Sequence, residues 1–217
     1  MNTNKNSKRI LCYGDSNTWG WVPLSMGSKR YSTNERWTCI LQNLLGQSYE
    51  VIEEGLGART TMFDDPRPEF PERNGLKTLS IILESHLPLD FVILMLGTTD
   101  TKEMMNLKST DIAKGMENLI KTIKKFRVLD GTINPKILVI VPPIVKENTK
   151  FAKKLFMGAT KKSTELIKLY ENLCEKEKVL FLDPTKSVKV DGKEGIHINV
   201  KNHKILAKLI YNKLKNI

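Results

Sequence analysis

The chain has 217 residues, 40% of them hydrophobic and 27% charged, with 13 Gly and 9 Pro. This composition supports one packed core of ordinary size and excludes disordered, collagen-like and low-complexity classes. No apolar run reaches the roughly eighteen residues of a membrane helix, and Met1 to Lys8 is polar, so the expectation is a cytoplasmic protein with no membrane partner, one domain over 1–217 and a flexible N-terminus at 1–7.

In chain order, Arg9-Ile10-Leu11-Cys12-Tyr13 reads as a strand that ends in the turn residues Gly14-Asp15-Ser16-Asn17. From Asn34, the apolar positions Trp37, Ile40, Leu41, Leu44 and Leu45 recur at helical spacing and stop at Gly46. Tyr49 to Glu54 is a second strand, closed by Gly55-Leu56-Gly57, and a Pro-containing loop over 61–75 leads to a helix near 76–86. Phe91 to Leu96 is an unbroken apolar run, as expected of a strand covered on both faces. A helix follows with Ser109 as candidate cap and Ile112, Met116, Leu119, Ile120 and Ile123 as its buried stripe; Ile137 to Val141 is the next strand, stopped by Pro142-Pro143. Leu166, Tyr170 and Leu173 mark another helix, Val179 to Leu182 a fifth strand, and Ile205, Leu206, Leu209 and Ile210 a last helix. Such alternation predicts an α/β fold with a five-stranded parallel sheet and helices on both faces. Chemistry in such sheets collects at the carboxyl ends of the strands, here segments 14–21, 55–61, 97–102, 142–148 and 183–197.

The formal charge of +11 invites a polyanion-binding reading. It is confined to one half: residues 1–100 hold 10 basic and 12 acidic side chains, residues 101–217 hold 25 and 12. Lysines outnumber arginines 28 to 7, whereas bidentate phosphate recognition favours Arg. A solvated surface is therefore the preferred reading, with no nucleic-acid partner. Cys12, Cys39 and Cys174 are odd in number and far apart, which argues against a disulfide framework or a zinc site. Gly55-Leu56-Gly57-Ala58-Arg59-Thr60 lacks the third glycine of a dinucleotide fingerprint and runs into a Pro-containing loop.

Ser16 directly follows the first strand. Gly-Asp-Ser alone is a common turn, but His197 stands just before the last helix with Glu194 three residues ahead of it. An acid so placed in a loop turns back on the imidazole Nδ1 while Nε2 faces a serine, completing a triad. His86 is read as a structural cap at a helix end, and His203, beside Lys201 and Lys204 in the last helix, as an exposed imidazole. No His pair has carboxylate-supported metal spacing.

Gly14-Asp15-Ser16-Asn17-Thr18-Trp19-Gly20-Trp21, Gly55-Leu56-Gly57-Ala58-Arg59-Thr60-Thr61, Gly97-Thr98-Thr99-Asp100 and Gly195-Ile196-His197 resemble the ordered blocks of the GDSL, or SGNH, hydrolases. The first block continues to Pro23 as in the aryl-esterase and acyltransferase branch. The resemblance implies a three-layer flavodoxin-like fold and hydrolysis or transfer of a short acyl group from an ester without cofactor or metal. It implies Ser16 as nucleophile, His197 as base, and an oxyanion hole from the Ser16 and Ala58 amides with a side chain at position 99. Trp19, Gly57 and Pro143 are expected at the substrate pocket. It also suggests a homo-oligomer, with 22–33 and 146–160 as contact loops.

Three positions depart from the family pattern: Ala58 mildly, since only its N–H is needed, and two that touch the chemistry directly. Thr99 stands where the family has Asn, replacing an amide donor by a shorter hydroxyl; losing one oxyanion donor costs about 10²–10³ in turnover. This motivates a second reading, a weakened member of the fold that binds an acylated ligand or carbohydrate. Glu194 stands where the family has Asp, and Asp191, six residues before His197, is the alternative acid.

Overall fold

The computed structural model describes residues 4–128, 131–132 and 134–216. In chain order the elements are β1 (Lys8–Gly14), the single turn α1 (Ser16–Trp19), α2 (Trp37–Leu45), β2 (Tyr49–Gly55), α3 (Gly75–Ser85), β3 (Phe91–Met95) and α4 (Ser109–Lys125). They continue with β4 (Arg127–Val128), β5 (Gly131–Thr132), β6 (Lys136–Ile140), α5 (Ala159–Glu177), β7 (Leu180–Leu182) and α6 (Val200–Lys215). Five strands pair in parallel in the order β2-β1-β3-β6-β7, while the two-residue strands β4 and β5 form a separate antiparallel ribbon. The chain winds outward from β1 to β2 and then back past β1 to β3. The crevice of the fold opens at that reversal, beyond the ends of β1 and β3.

The side-chain alternation of β1 and β3 builds a core on each face of the sheet. Leu11, Tyr13, Val92 and Leu94 pack with Leu79, Met116, Ile120 and Leu166 from α3, α4 and α5. Ile10, Cys12, Ile93 and Met95 point the other way and meet Trp37 and Leu41 of α2 and Leu206 and Ile210 of α6. The expected doubly covered sheet is thus present, with all five residues of β3 buried.

Several local expectations are corrected. Ser16 to Trp19 is a helical turn inside the segment read as loop, because Asp15 accepts the Asn17 N–H and caps it. Helix α2 begins at Trp37 rather than Asn34. Ser109 does not cap α4: its hydroxyl donates to Glu165, and Asp111 accepts the Lys108 N–H instead. His203 is fully buried, not exposed; its Nδ1 accepts the Trp37 N–H at 3.3 Å and its ring meets Tyr31 edge-on at 5.2 Å. It shares the inner face of α6 with Leu206 and Ile210, a helical spacing that its lysine neighbours obscured. His86 occupies the C-cap position of α3, with Nε2 2.8 Å from Glu54. At the N-terminus Ser7 donates to the Asn4 carbonyl, and residues 1–3 lie outside the described residues. Among the described residues no helix is long and apolar enough to cross a membrane.

Candidate active site

The first functional side chain is placed by the exit from β1. Ser16 opens α1, and Gly20 ends that turn in the left-handed region at φ 91°, its N–H donating to the Ser16 carbonyl. The reversal throws Trp21 across the top of the turn, where its indole stacks on His197 at 4.9 Å and 15°. The second side chain arrives from the loop before α6. There Gly195 has φ 92°, and a Cβ would collide with the Lys146 carbonyl, so glycine alone fits the bend between Glu194 and His197. The Ile198 N–H donates to Asn17 Oδ1 at 3.0 Å, which ties this loop to α1.

With both loops fixed, His197 Nε2 lies 2.9 Å from Ser16 Oγ, and His197 Nδ1 lies 2.8 Å from each oxygen of Glu194. The His197 backbone N–H also donates to Glu194 Oε2, and the Leu24 N–H to Oε1. Glu194 is wholly buried. Burial pushes its carboxyl upward, but the hydrogen bonds from His197 and the charge of that ring outweigh it and hold the carboxyl below its ordinary value. Asp191, the alternative acid, instead accepts the Lys193 and Glu194 N–H groups and shapes the turn.

The other two blocks converge on the same place. Ala58 adopts φ 62° in the loop after β2. Beside it, the Arg59 guanidinium donates to the carbonyls of Gly14 and Glu54 and lies over the Tyr13 ring, a bracing role rather than a reacting one. Thr99 begins a 3-10 turn after β3. Asp100 next to it accepts the Thr61 N–H and Oγ1–H, clasping the loop of Ala58 to the loop of Thr99. Burial pushes the Asp100 carboxyl up to about 6. Burial also raises the Asp15 carboxyl, against the opposing pull of the Asn17 N–H that it accepts.

A cavity of about 250 Å³ opens over these groups, with Ser16, Ala58, Thr98, Thr99 and His197 in its lining. Trp21, Phe151, Leu155, Phe156 and Ile196 supply apolar wall, and Arg67, Glu69, Phe70 and Lys102 a mixed one. Trp19, Gly57 and Pro143, expected at the pocket, do not line it. The turn at Gly20 brings Trp21 over His197 in place of Trp19, whose ring lies under Arg30. Gly57 sits against the Trp21 ring, where a Cβ would come within 3.4 Å, and Pro143 is buried. The apolar wall of Phe151, Leu155 and Phe156 was not foreseen, although aromatic and aliphatic residues standing in a Lys-rich connection were a visible signal.

A family model described as the GDSL-like lipase/acylhydrolase family matches residues 12–205, a span that takes in all four strand-end blocks.

The chain belongs to that family.

Among solved structures of GDSL-like proteins, the aryl esterase of M. smegmatis is 40% identical and superposes with a TM-score of 0.90, covering 97% of this chain and 99% of that one. A carbohydrate acetylesterase of Sinorhizobium meliloti is 38% identical, also with a TM-score of 0.90, over 97% and 99% of the two chains. The acetylxylan esterase of Xylanibacter ruminicola is 25% identical across 95% of this chain. The chain spans only 43% of the length of that curated relative.

Proposed function

We propose that this GDSL-family protein is a serine esterase that cleaves short-chain acyl esters, acetyl esters first, through an acyl-enzyme. The observation that carries the reading is the hydrogen-bonded order Ser16 Oγ, His197, Glu194 at the wall of a partly apolar cavity. In this reading His197 Nε2 takes the Ser16 proton as Oγ attacks the ester carbonyl, and Glu194 holds the ring and stabilises the imidazolium. The oxyanion is received by the Ser16 and Ala58 N–H groups, with the Thr99 hydroxyl as third donor. His197 returns the proton to the departing alcohol. Water, or a second alcohol, then attacks the acyl-enzyme with His197 again as base, and Ser16 is regenerated. The acetyl preference is supported by the two acetylesterases to which the chain is similar, and ester cleavage more broadly by the aryl esterase.

The test is turnover of phenyl acetate and p-nitrophenyl esters of two to eight carbons by wild type and Ser16→Ala. Loss of about 10³-fold or more in the variant is expected; equal rates for the two proteins on every ester would overturn the esterase reading and favour a ligand-binding member of the fold, the reading that Thr99 motivates.

A further inference from the structure

The mixed wall of the cavity holds a cation that the proposed acyl chemistry does not use. Lys102 follows the 3-10 turn that begins at Thr99, and its N–H donates to the Thr99 carbonyl. Its side chain is 7% exposed, with Nζ 3.2 Å from Asp65 Oδ2. Asp65 has a fully buried side chain and is already engaged by Arg67, Nε to Oδ1 at 2.8 Å and Nη2 to Oδ2 at 2.6 Å. Phe70 packs beneath the Arg67 guanidinium at 4.0 Å. One buried carboxylate is therefore shared by two cations, and the cluster retains a formal charge of +1.

The position of that surplus charge matters. Arg67 and Lys102 line the cavity, whereas Asp65, with its fully buried side chain, is not part of the lining. Glu69 also lines the cavity but is exposed, where water screens it. Glu194 turns both oxygens to His197, and the buried Asp100, whose charge also acts on Lys102, gives its oxygens to Thr61. An ammonium has three donors, and among the described residues the hydrogen bond to Asp65 uses one. Burial, then the repulsion of Arg67, pulls the Lys102 ammonium below its ordinary value in spite of Asp65. A partly desolvated cation with spare donors on a cavity wall is a site for an anion.

We infer that Lys102 and Arg67 form an anion subsite of the cavity and that the preferred substrates are esters carrying a carboxylate on their alcohol or acyl part. The inference rests on the ester-cleaving reading above for its word "substrates", but the subsite itself is measurable without turnover.

The experiment has two kinetic arms and one binding arm. On the alcohol side, kcat/KM is compared for 4-acetoxybenzoate and 4-acetoxybenzamide; on the acyl side, for monophenyl adipate and methyl phenyl adipate. A preference of about tenfold or more for the anion is expected in one arm, from the usual strength of a charge-assisted hydrogen bond. That ratio should shrink in Lys102→Met, recover in part in Lys102→Arg, and fall with added salt. Benzoate binding to wild type is measured by calorimetry, with benzamide as the neutral control. A neutral ester that equals or beats its anion in both arms, together with benzoate binding no tighter than benzamide, overturns the subsite. If no ester is turned over above the Ser16→Ala level yet benzoate binds in preference to benzamide, the subsite stands and the esterase reading falls. Should Lys102→Met fail to fold, Arg67→Gln and the salt dependence of benzoate binding to wild type give the same decision.

Discussion

Glu194 grips His197 at two points: both carboxylate oxygens lie 2.8 Å from Nδ1, and Oε2 also accepts the His197 backbone N–H at 2.8 Å. The left-handed Gly195 between them tightens the turn that carries the carboxylate back to the ring. Glu194→Gln keeps the shape but favours the wrong tautomer, so kcat for phenyl acetate should fall about 10³-fold or more. Asp191→Asn preserves an acceptor for the Lys193 and Glu194 N–H groups and should lose far less. A larger loss in Asp191→Asn would reassign the acid.

Thr99 lines the cavity at the position where the family resemblance implies an amide donor. Thr99→Asn is expected to raise kcat about tenfold or more on short esters with little change in KM, because an oxyanion donor acts in the transition state. An unchanged or lower kcat in a folded variant shows that the hydroxyl already suffices.

Trp21 stacks on His197 and lines the cavity, while Trp19 packs under Arg30 outside it. Trp21→Ala should lower kcat/KM on short esters about tenfold or more by loosening the ring that receives the proton. Trp19→Ala should retain more of it; the reverse order would restore Trp19 to the pocket.

His203 is neutral in its buried setting: burial first, then the charges of His197 and Arg36, push its value down to about 3 from an ordinary 6.5. The folded value is depressed, so between about 6.5 and 3 the unfolded chain binds the extra proton and stability falls as pH falls. From pH 7 to pH 4.5 this term costs about 2 to 3 kcal/mol. Asp100, raised to about 6, acts in the opposite sense over part of that range, so the test is a difference between two proteins. His203→Gln, which keeps an acceptor near Trp37, should lose less stability than wild type between those pH values in urea unfolding. Equal losses would show that His203 does not carry the effect.

Ile10 to Tyr13 and Phe91 to Met95 could be placed as buried strands because an apolar run bounded by turn residues has few other solutions, and the alternation of strands and helices then demands a parallel sheet. Ser16, His197 and Glu194 were also legible, since each falls in a strand-end loop beside residues that only a tight turn needs. What escaped was whatever depends on direction rather than position. His203 was misread because its lysine neighbours describe the outer face of α6 while its own spacing to Leu206 and Ile210 describes the inner one.

By itself the sequence determined the order of the elements, the four strand-end blocks and the identity of the triad candidates, because periodicity and turn chemistry are local properties carried by neighbouring residues. The tertiary structure alone decided which tryptophan covers His197, which of two acids meets Nδ1, and that Asp65, Arg67 and Lys102 share one cavity wall. Those outcomes turn on backbone reversals at Gly20 and Gly195 and on contacts between segments far apart in the chain. Such contacts leave no periodic trace in the sequence, since they are selected by the packing of loops already fixed at the edge of the sheet.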